Sequence, residues 1–198
     1  MHLFIELITL VFFLLTVAHG VARRREDGVW LFGSLFFLGF VRENFVVLRD
    51  YLYGFAPLNL MGGKAPLIAS IIWGYTIYIA ICFAEGMTGE SLDDRRPSVR
   101  FYVFTGLFMV ATVGFYEPFL ELIGMARWED GTRATGGVPW IALIGYPSLT
   151  LPFLALWCWS MRTGRGVAPR AVRIVLLIGT LALVHAAGLQ ALKDGLNW

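Results

Sequence analysis

Among the ionisable residues inside long apolar stretches of this 198-residue sequence are Glu43, Glu117, Glu121 and His185. In hydrocarbon each would cost a few kcal/mol or more, so their retention points to a use. A carboxyl held away from water resists ionisation. Two carboxyls four residues apart on a helix, such as Glu117 and Glu121, share a face and reinforce the effect by sharing a proton. A protonated carboxyl of this kind is a Brønsted acid towards a carbon–carbon double bond. The cation that forms needs stabilisation without a nucleophile, which aromatic faces supply. Tyr51, Tyr53 and Trp73 follow Glu43, while Tyr116, Trp128 and Tyr146 flank Glu117. Such redox-neutral chemistry calls for no cofactor.

Plainer roles stand beside these. Glu43 adjoins Arg42 and suits a structural ion pair. Glu121 suits a membrane interface, and the aromatic residues suit an interfacial belt. His185, among Leu183, Val184, Ala186 and Ala187, suits a hydrogen-bonded packing role. Glu117 is harder to explain this way, because it sits among Phe115, Tyr116, Pro118 and Phe119 with no base close in sequence. No metal centre is indicated. Di-iron bundles pair Glu with a His three residues on, and no Glu precedes His185 at that spacing.

The elements that must position these groups follow from composition. The chain is 58% hydrophobic and 15% charged, with a mean hydropathy of +0.69. Soluble domains carry about a quarter charged residues. An ordinary cytosolic enzyme and a disordered chain are thereby excluded. The net charge of +2 argues against nucleic acid or another polyanion as partner. Cys82 and Cys158 both sit in apolar runs and suggest neither a disulfide framework nor a zinc site. Six segments reach the roughly 20 apolar residues that a bilayer crossing needs: 3–20, 29–48, 66–85, 101–124, 138–160 and 174–192. The expectation is an all-α integral membrane protein, with residues 1–198 as one transmembrane domain. The first segment lacks a basic leader and is followed by Arg23, Arg24 and Arg25 instead of a cleavage site, so it reads as a retained helix.

Basic residues set the expected orientation. Arg23, Arg24, Arg25, Arg95, Arg96, Arg100, Arg162, Arg165, Arg170 and Arg173 fall on one side; Arg49, Lys64, Arg127, Arg133 and Lys193 fall on the other. Both termini are therefore expected on the non-cytoplasmic face. The chain also echoes itself. Glu43 is followed by GGKAPLIASIIWGY and Glu117 by GGVPWIALIGY, each with a proline opening the returning helix and an aromatic closing its second turn. This pattern suggests a duplicated helix hairpin, with Glu43 and Glu117 at matching depths. His185 lies about 11 residues into the last helix, roughly 16 Å along it.

These motifs resemble those of the carotenoid biosynthesis protein family, which includes carotenoid 1,2-hydratases of the bisanhydrobacterioruberin hydratase type. Trp128, Gly137-Val138-Pro139 and Gly145-Tyr146 resemble its second half, with Tyr for the final Trp. Tyr116-Glu117 followed by Glu121 is similar to its aromatic-acid pair and second acid, with Glu for Asp. Glu43, Tyr51-Leu52-Tyr53, Pro66 and Trp73 resemble its first half. The family's Gly-Thr-Gly stretch after the first glutamate and its asparagine near Ala142 are absent. The resemblance spans residues 40–150 and implies a fold shared with heterodimeric-type lycopene cyclases and a long polyene substrate.

The expected function is an intramembrane enzyme that protonates an isoprenoid double bond, leading to hydration or cyclisation. Glu117 is the expected acid, Glu121 its modulator and Glu43 a second acid or water-orienting base. Tyr51, Tyr53, Trp73, Tyr116, Trp128, Tyr146 and His185 are expected to line the substrate site. The expected partners are a lipophilic polyene or isoprenoid and membrane lipid, with a homo-oligomer or membrane complex also open. The expected location is a bacterial or archaeal cytoplasmic membrane. The rival expectation is a non-catalytic integral subunit or carotenoid-binding scaffold, in which Glu43 and Glu117 point apart or pair with arginines.

Overall fold

The computed structural model describes residues 2–45, 51–54, 65–94, 96–128, 134–163 and 166–196. Six α-helices make up nearly all of it: α1 (His2–Arg24), α2 (Glu26–Phe45), α3 (Leu67–Thr88), α4 (Val99–Leu122), α5 (Trp140–Thr163) and α6 (Val167–Leu196). The all-α expectation holds. Helices α1, α3, α4, α5 and α6 are long and apolar enough to cross a membrane, which is consistent with an integral membrane protein. Helix α2 misses that mark because it carries Glu26, Asp27, Arg42 and Glu43. It tolerates them because it packs against α1, α3 and α6, and its Leu31, Leu35 and Leu38 are wholly buried.

Contacts run from α2 to α3, α4, α5, α6 and back to α2, closing a ring, while α1 packs outside it on α2 and α3. The outward surface is apolar: Phe4, Leu15, Leu107, Phe115, Leu176 and Val184 are all more than half exposed. An apolar surface of this extent needs hydrocarbon or protein against it.

Several element boundaries differ from the expected ones. Helix α1 runs on through Arg23 and Arg24, and Arg25 alone, at φ 53°, turns the chain into α2. Helix α6 begins about two turns before residue 174, at Val167. Pro66 and Pro139 each stand immediately before their helices. The expected last turn of helix 2, residues 46–48, lies outside the described residues, as do Arg49, Lys64, Arg95, Arg133 and Arg165.

Four short strands were not anticipated: β1 (Tyr51–Tyr53), β2 (Ala126–Trp128), β3 (Ala134–Thr135) and β4 (Val138–Pro139). β3 and β4 form a small hairpin ahead of α5. β1 and β2 pair antiparallel, with Tyr51 opposite Trp128 and Tyr53 opposite Ala126, so the connection after α2 is tied to the connection after α4. Gly54 continues this ribbon by donating its N–H to Met125 at 2.8 Å. A Cβ on Gly54 would lie 2.0 Å from the Gly124 carbonyl oxygen, so only glycine permits the approach.

A second close approach sets the α2–α3 spacing. A Cβ on Gly39 would lie 2.7 Å from the Ser70 carbonyl oxygen and 3.0 Å from the Trp73 Cβ. The missing side chain lets the two backbones touch one turn before Glu43, which brings Trp73 within reach of it. Gly39→Leu is expected to separate the helices and cost about 1–3 kcal/mol as overpacking. A lowered thermal midpoint by circular dichroism in detergent is the readout.

At the opposite end of the bundle the polar groups close on one another. The wholly buried Arg24 side chain donates to Glu85 at 2.6 Å and also to Asp93. Glu85 further accepts from the Leu92 N–H at 2.8 Å and pairs with Arg23 at 3.0 Å. One turn deeper, His19 Nδ1 and the Tyr78 hydroxyl are 2.7 Å apart. This network fastens α1 and α3 to the 3-10 turn at Leu92–Asp94.

Candidate functional site

The two hairpins of the sequence echo build one chamber. Glu43 is near the end of α2 and Glu117 near the end of α4, both buried, and both line a cavity of about 60 Å³ walled by α2, α3, α4, α5 and α6. The ribbon of β1 and β2 covers its end with Tyr51, Tyr53 and Trp128.

Each carboxyl is held in the same way. The Trp73 indole N–H donates to one oxygen of Glu43 and the Tyr53 hydroxyl to the other. The Tyr146 hydroxyl donates to one oxygen of Glu117 at 3.0 Å, and the Trp128 indole N–H to the other at 2.9 Å. In each half one donor comes from the ribbon and one from the returning helix, seven residues after its proline. The residue types are exchanged: the ribbon gives Tyr and the helix Trp in the first half, and the reverse in the second. Two donors satisfy half of a carboxylate's acceptor sites and leave room for a proton or a reacting partner.

The walls around the carboxyls are aromatic. The rings of Trp73 and Tyr146 are 4.7 Å apart between centroids, and those of Tyr51 and Trp128 are 4.9 Å apart. Enclosure first, and then the neighbouring carboxyls, push the Tyr51 and Tyr53 phenols well above their ordinary range. Both phenols therefore remain protonated. Among the described residues one cation joins the chamber: an Arg42 guanidinium nitrogen is 3.6 Å from Glu43.

The chamber has different neighbours on its two sides. Tyr53 and Ala126 also line a surface hollow of about 180 Å³ that holds Glu121 and Arg127. On the other side, Ile68, Ile72, Leu120 and Met125 also line an apolar cavity of about 80 Å³ between α3 and α4.

No family model, curated protein or solved structure matches this chain.

The sequence therefore located the chamber but not all of its members. Glu43, Glu117, Tyr51, Tyr53, Trp73, Trp128 and Tyr146 come together. Glu121 does not. It is exposed and lies outside the chamber, because Gly124 (φ 68°) turns the chain after α4 and folds β2 back over Glu117, leaving Glu121 on the outer side. Tyr116 faces away from Glu117 and meets Tyr75, hydroxyl to hydroxyl, across the α3–α4 seam. His185 Nε2 is 2.9 Å from the Ser148 hydroxyl, joining α6 to α5 outside the chamber wall. Arg42 is the chamber residue that reasoning from sequence had assigned only a structural role. Its signal was its position directly before Glu43.

Proposed function

We propose that the chain is an integral membrane enzyme that protonates a carbon–carbon double bond of an acyclic isoprenoid or carotenoid and directs the cation to water. In this reading six helices cross a bacterial or archaeal cytoplasmic membrane, with both termini on the non-cytoplasmic side. The observation that carries it is the pair of buried glutamates, each held by one Trp and one Tyr, facing a single aromatic chamber.

The roles follow from charge. Two carboxyls and one guanidinium enclosed together are neutral when one carboxyl keeps its proton. In the proposed cycle Glu43, beside Arg42, takes the part of the base and Glu117 that of the acid. Glu117 gives that proton to the less substituted alkene carbon, and the π electrons form the new C–H bond. Trp73, Tyr146 and Tyr51 face the resulting tertiary cation without attacking it. A water oxygen bonds to the cation, and Glu43 accepts the proton that water releases. Proton transfer from Glu43 back to Glu117 restores the starting state, so the sum is addition of one water with no change of oxidation level.

Hydration is favoured over cyclisation by the neighbouring hollow, whose Glu121 and Arg127 make it polar, and which shares Tyr53 and Ala126 with the chamber. The Arg42–Glu43 contact is the one observation on the side of a non-catalytic, carotenoid-binding scaffold.

One experiment separates these readings. The protein is expressed with an acyclic carotenoid pathway and the pigments are analysed by mass. A product heavier by one water is the expected result. An isomer of unchanged mass would assign cyclisation instead, and unaltered pigment that co-purifies with the protein would favour the scaffold.

A further inference from the structure

Next to the apolar cavity between α3 and α4 lies a larger groove of about 420 Å³, bounded by α1, α3 and α4. The two share Ile5, Thr9, Tyr75, Tyr116 and Phe119, just as the smaller one shares Ile68, Ile72, Leu120 and Met125 with the chamber. Groove, cavity and chamber thus adjoin in a row, with volumes of about 420, 80 and 60 Å³. Along α4 the row runs from Phe108 to Leu120, roughly 18 Å of helix. Its groove end is lined by Ile8 and Phe12, which are 44% and 56% exposed on the outer face of α1.

We propose that this row is a lateral passage that takes up a linear isoprenoid hydrocarbon from the surrounding apolar phase, lays its reacting end against Glu117, and selects for chain length in the groove. The proposal rests on reading the chamber as a protonation site. The lining chemistry identifies the ligand class. Among the described residues no charged side chain lines the groove or the middle cavity. Most of the hydroxyls that do are engaged within the protein: Tyr75 with Tyr116, Thr9 with the Ile5 carbonyl at 2.8 Å, and Thr112 with the Phe108 carbonyl at 2.8 Å, whereas the buried Thr76 hydroxyl has no partner. A hydrocarbon loses nothing there, whereas a polar head group would be stripped of water without replacement. A diphosphate is further disfavoured at the chamber, where two carboxyls face a single arginine. Of the hydrocarbons, a branched alkene alone offers Glu117 a carbon to protonate and yields a tertiary cation.

The Tyr75–Tyr116 pair borders both the groove and the middle cavity, so a long chain must pass alongside it. A short chain fits beyond the pair, in the middle cavity and chamber alone. Chain length is therefore sensed on the far side of these two tyrosines from the carboxyls.

The test uses the full-length protein in lipid nanodiscs and measures retention of squalene, a long acyclic isoprenoid, and myrcene, a short one. Thr112→Trp fills the groove from α4, and Ile8→Trp fills it from α1, neither residue lining the middle cavity. Each is expected to weaken squalene binding at least about tenfold, or roughly 1.4 kcal/mol, while leaving myrcene unchanged. Leu107→Trp, on the exposed face of α4 outside the groove, is expected to change neither and reports on general damage. Equal squalene retention in wild type and both groove variants would overturn the passage, as would parallel loss of both ligands. Hexadecane binding as tightly as squalene would overturn the isoprenoid assignment. Selective squalene binding with no conversion of any alkene would support the passage and remove the protonation reading, so the two fail separately.

Discussion

Glu117→Gln is expected to lower product formation by at least about a hundredfold, the lower end of what a positioned general acid contributes. The amide keeps the shape of the side chain and still accepts from Tyr146 or Trp128, so helical content and pigment retention should be unchanged. What it lacks is the acidic proton. Glu43→Gln should behave differently, because in the proposed cycle Glu43 deprotonates the attacking water. Its expected outcome is a mixture in which the cation loses a proton elsewhere, giving isomerised polyene in place of alcohol. Pigment analysis by mass and retention time distinguishes the two variants. Equal, modest losses in both would mean that neither carboxyl touches the reacting bond.

The largest stability effect is expected far from the chamber, at Glu85→Leu. The Arg24 side chain is wholly buried and is held by Glu85 at 2.6 Å and by the partly exposed Asp93. Leucine in place of Glu85 strands the guanidinium with one partner and also removes the acceptor of the Leu92 N–H. Loss of one member of a buried pair costs about 3–5 kcal/mol, whereas replacing both members with apolar side chains is often close to neutral. The double variant Arg24→Met, Glu85→Leu should therefore recover most of the loss. Thermal unfolding of the three variants in one detergent measures this, and a double variant no better than the single would remove the buried-charge explanation.

Much of the chamber could be read from the chain because helices repeat their geometry. The proline, and the aromatic seven residues after it, recur in both hairpins and fix where Trp73 and Tyr146 stand relative to Glu43 and Glu117. The ribbon was not legible. Tyr51–Tyr53 and Ala126–Trp128 are three residues each, too short to carry a strand pattern, and they become strands only by pairing across more than 70 residues of chain. That pairing turns Tyr53 and Trp128 from lining residues into carboxyl donors. It also explains the misplacement of Glu121. Spacing along a helix predicts a shared face with Glu117, but not that the chain will turn at Gly124 and put β2 between the two environments. For α2 the hydropathy pattern suggested a spanning helix like the rest, whereas its position inside the bundle is what lets it carry Arg42 and Glu43.

The exchange of Trp and Tyr between the halves makes two geometrically matched carboxyls unequal as proton carriers. An indole N–H donates but does not relay, whereas a phenol can release its proton on one side as it gains another. Each glutamate thus has one inert neighbour and one exchangeable neighbour, at opposite positions. For Glu43 the exchangeable neighbour is Tyr53, which also lines the polar hollow beside Glu121. For Glu117 it is Tyr146, inside the helical wall and against the Trp73 ring. In the proposed cycle Tyr53 therefore links Glu43 to the surface hollow, while Glu117 is reloaded from within the chamber. Two matched hairpins acquire in this way a direction.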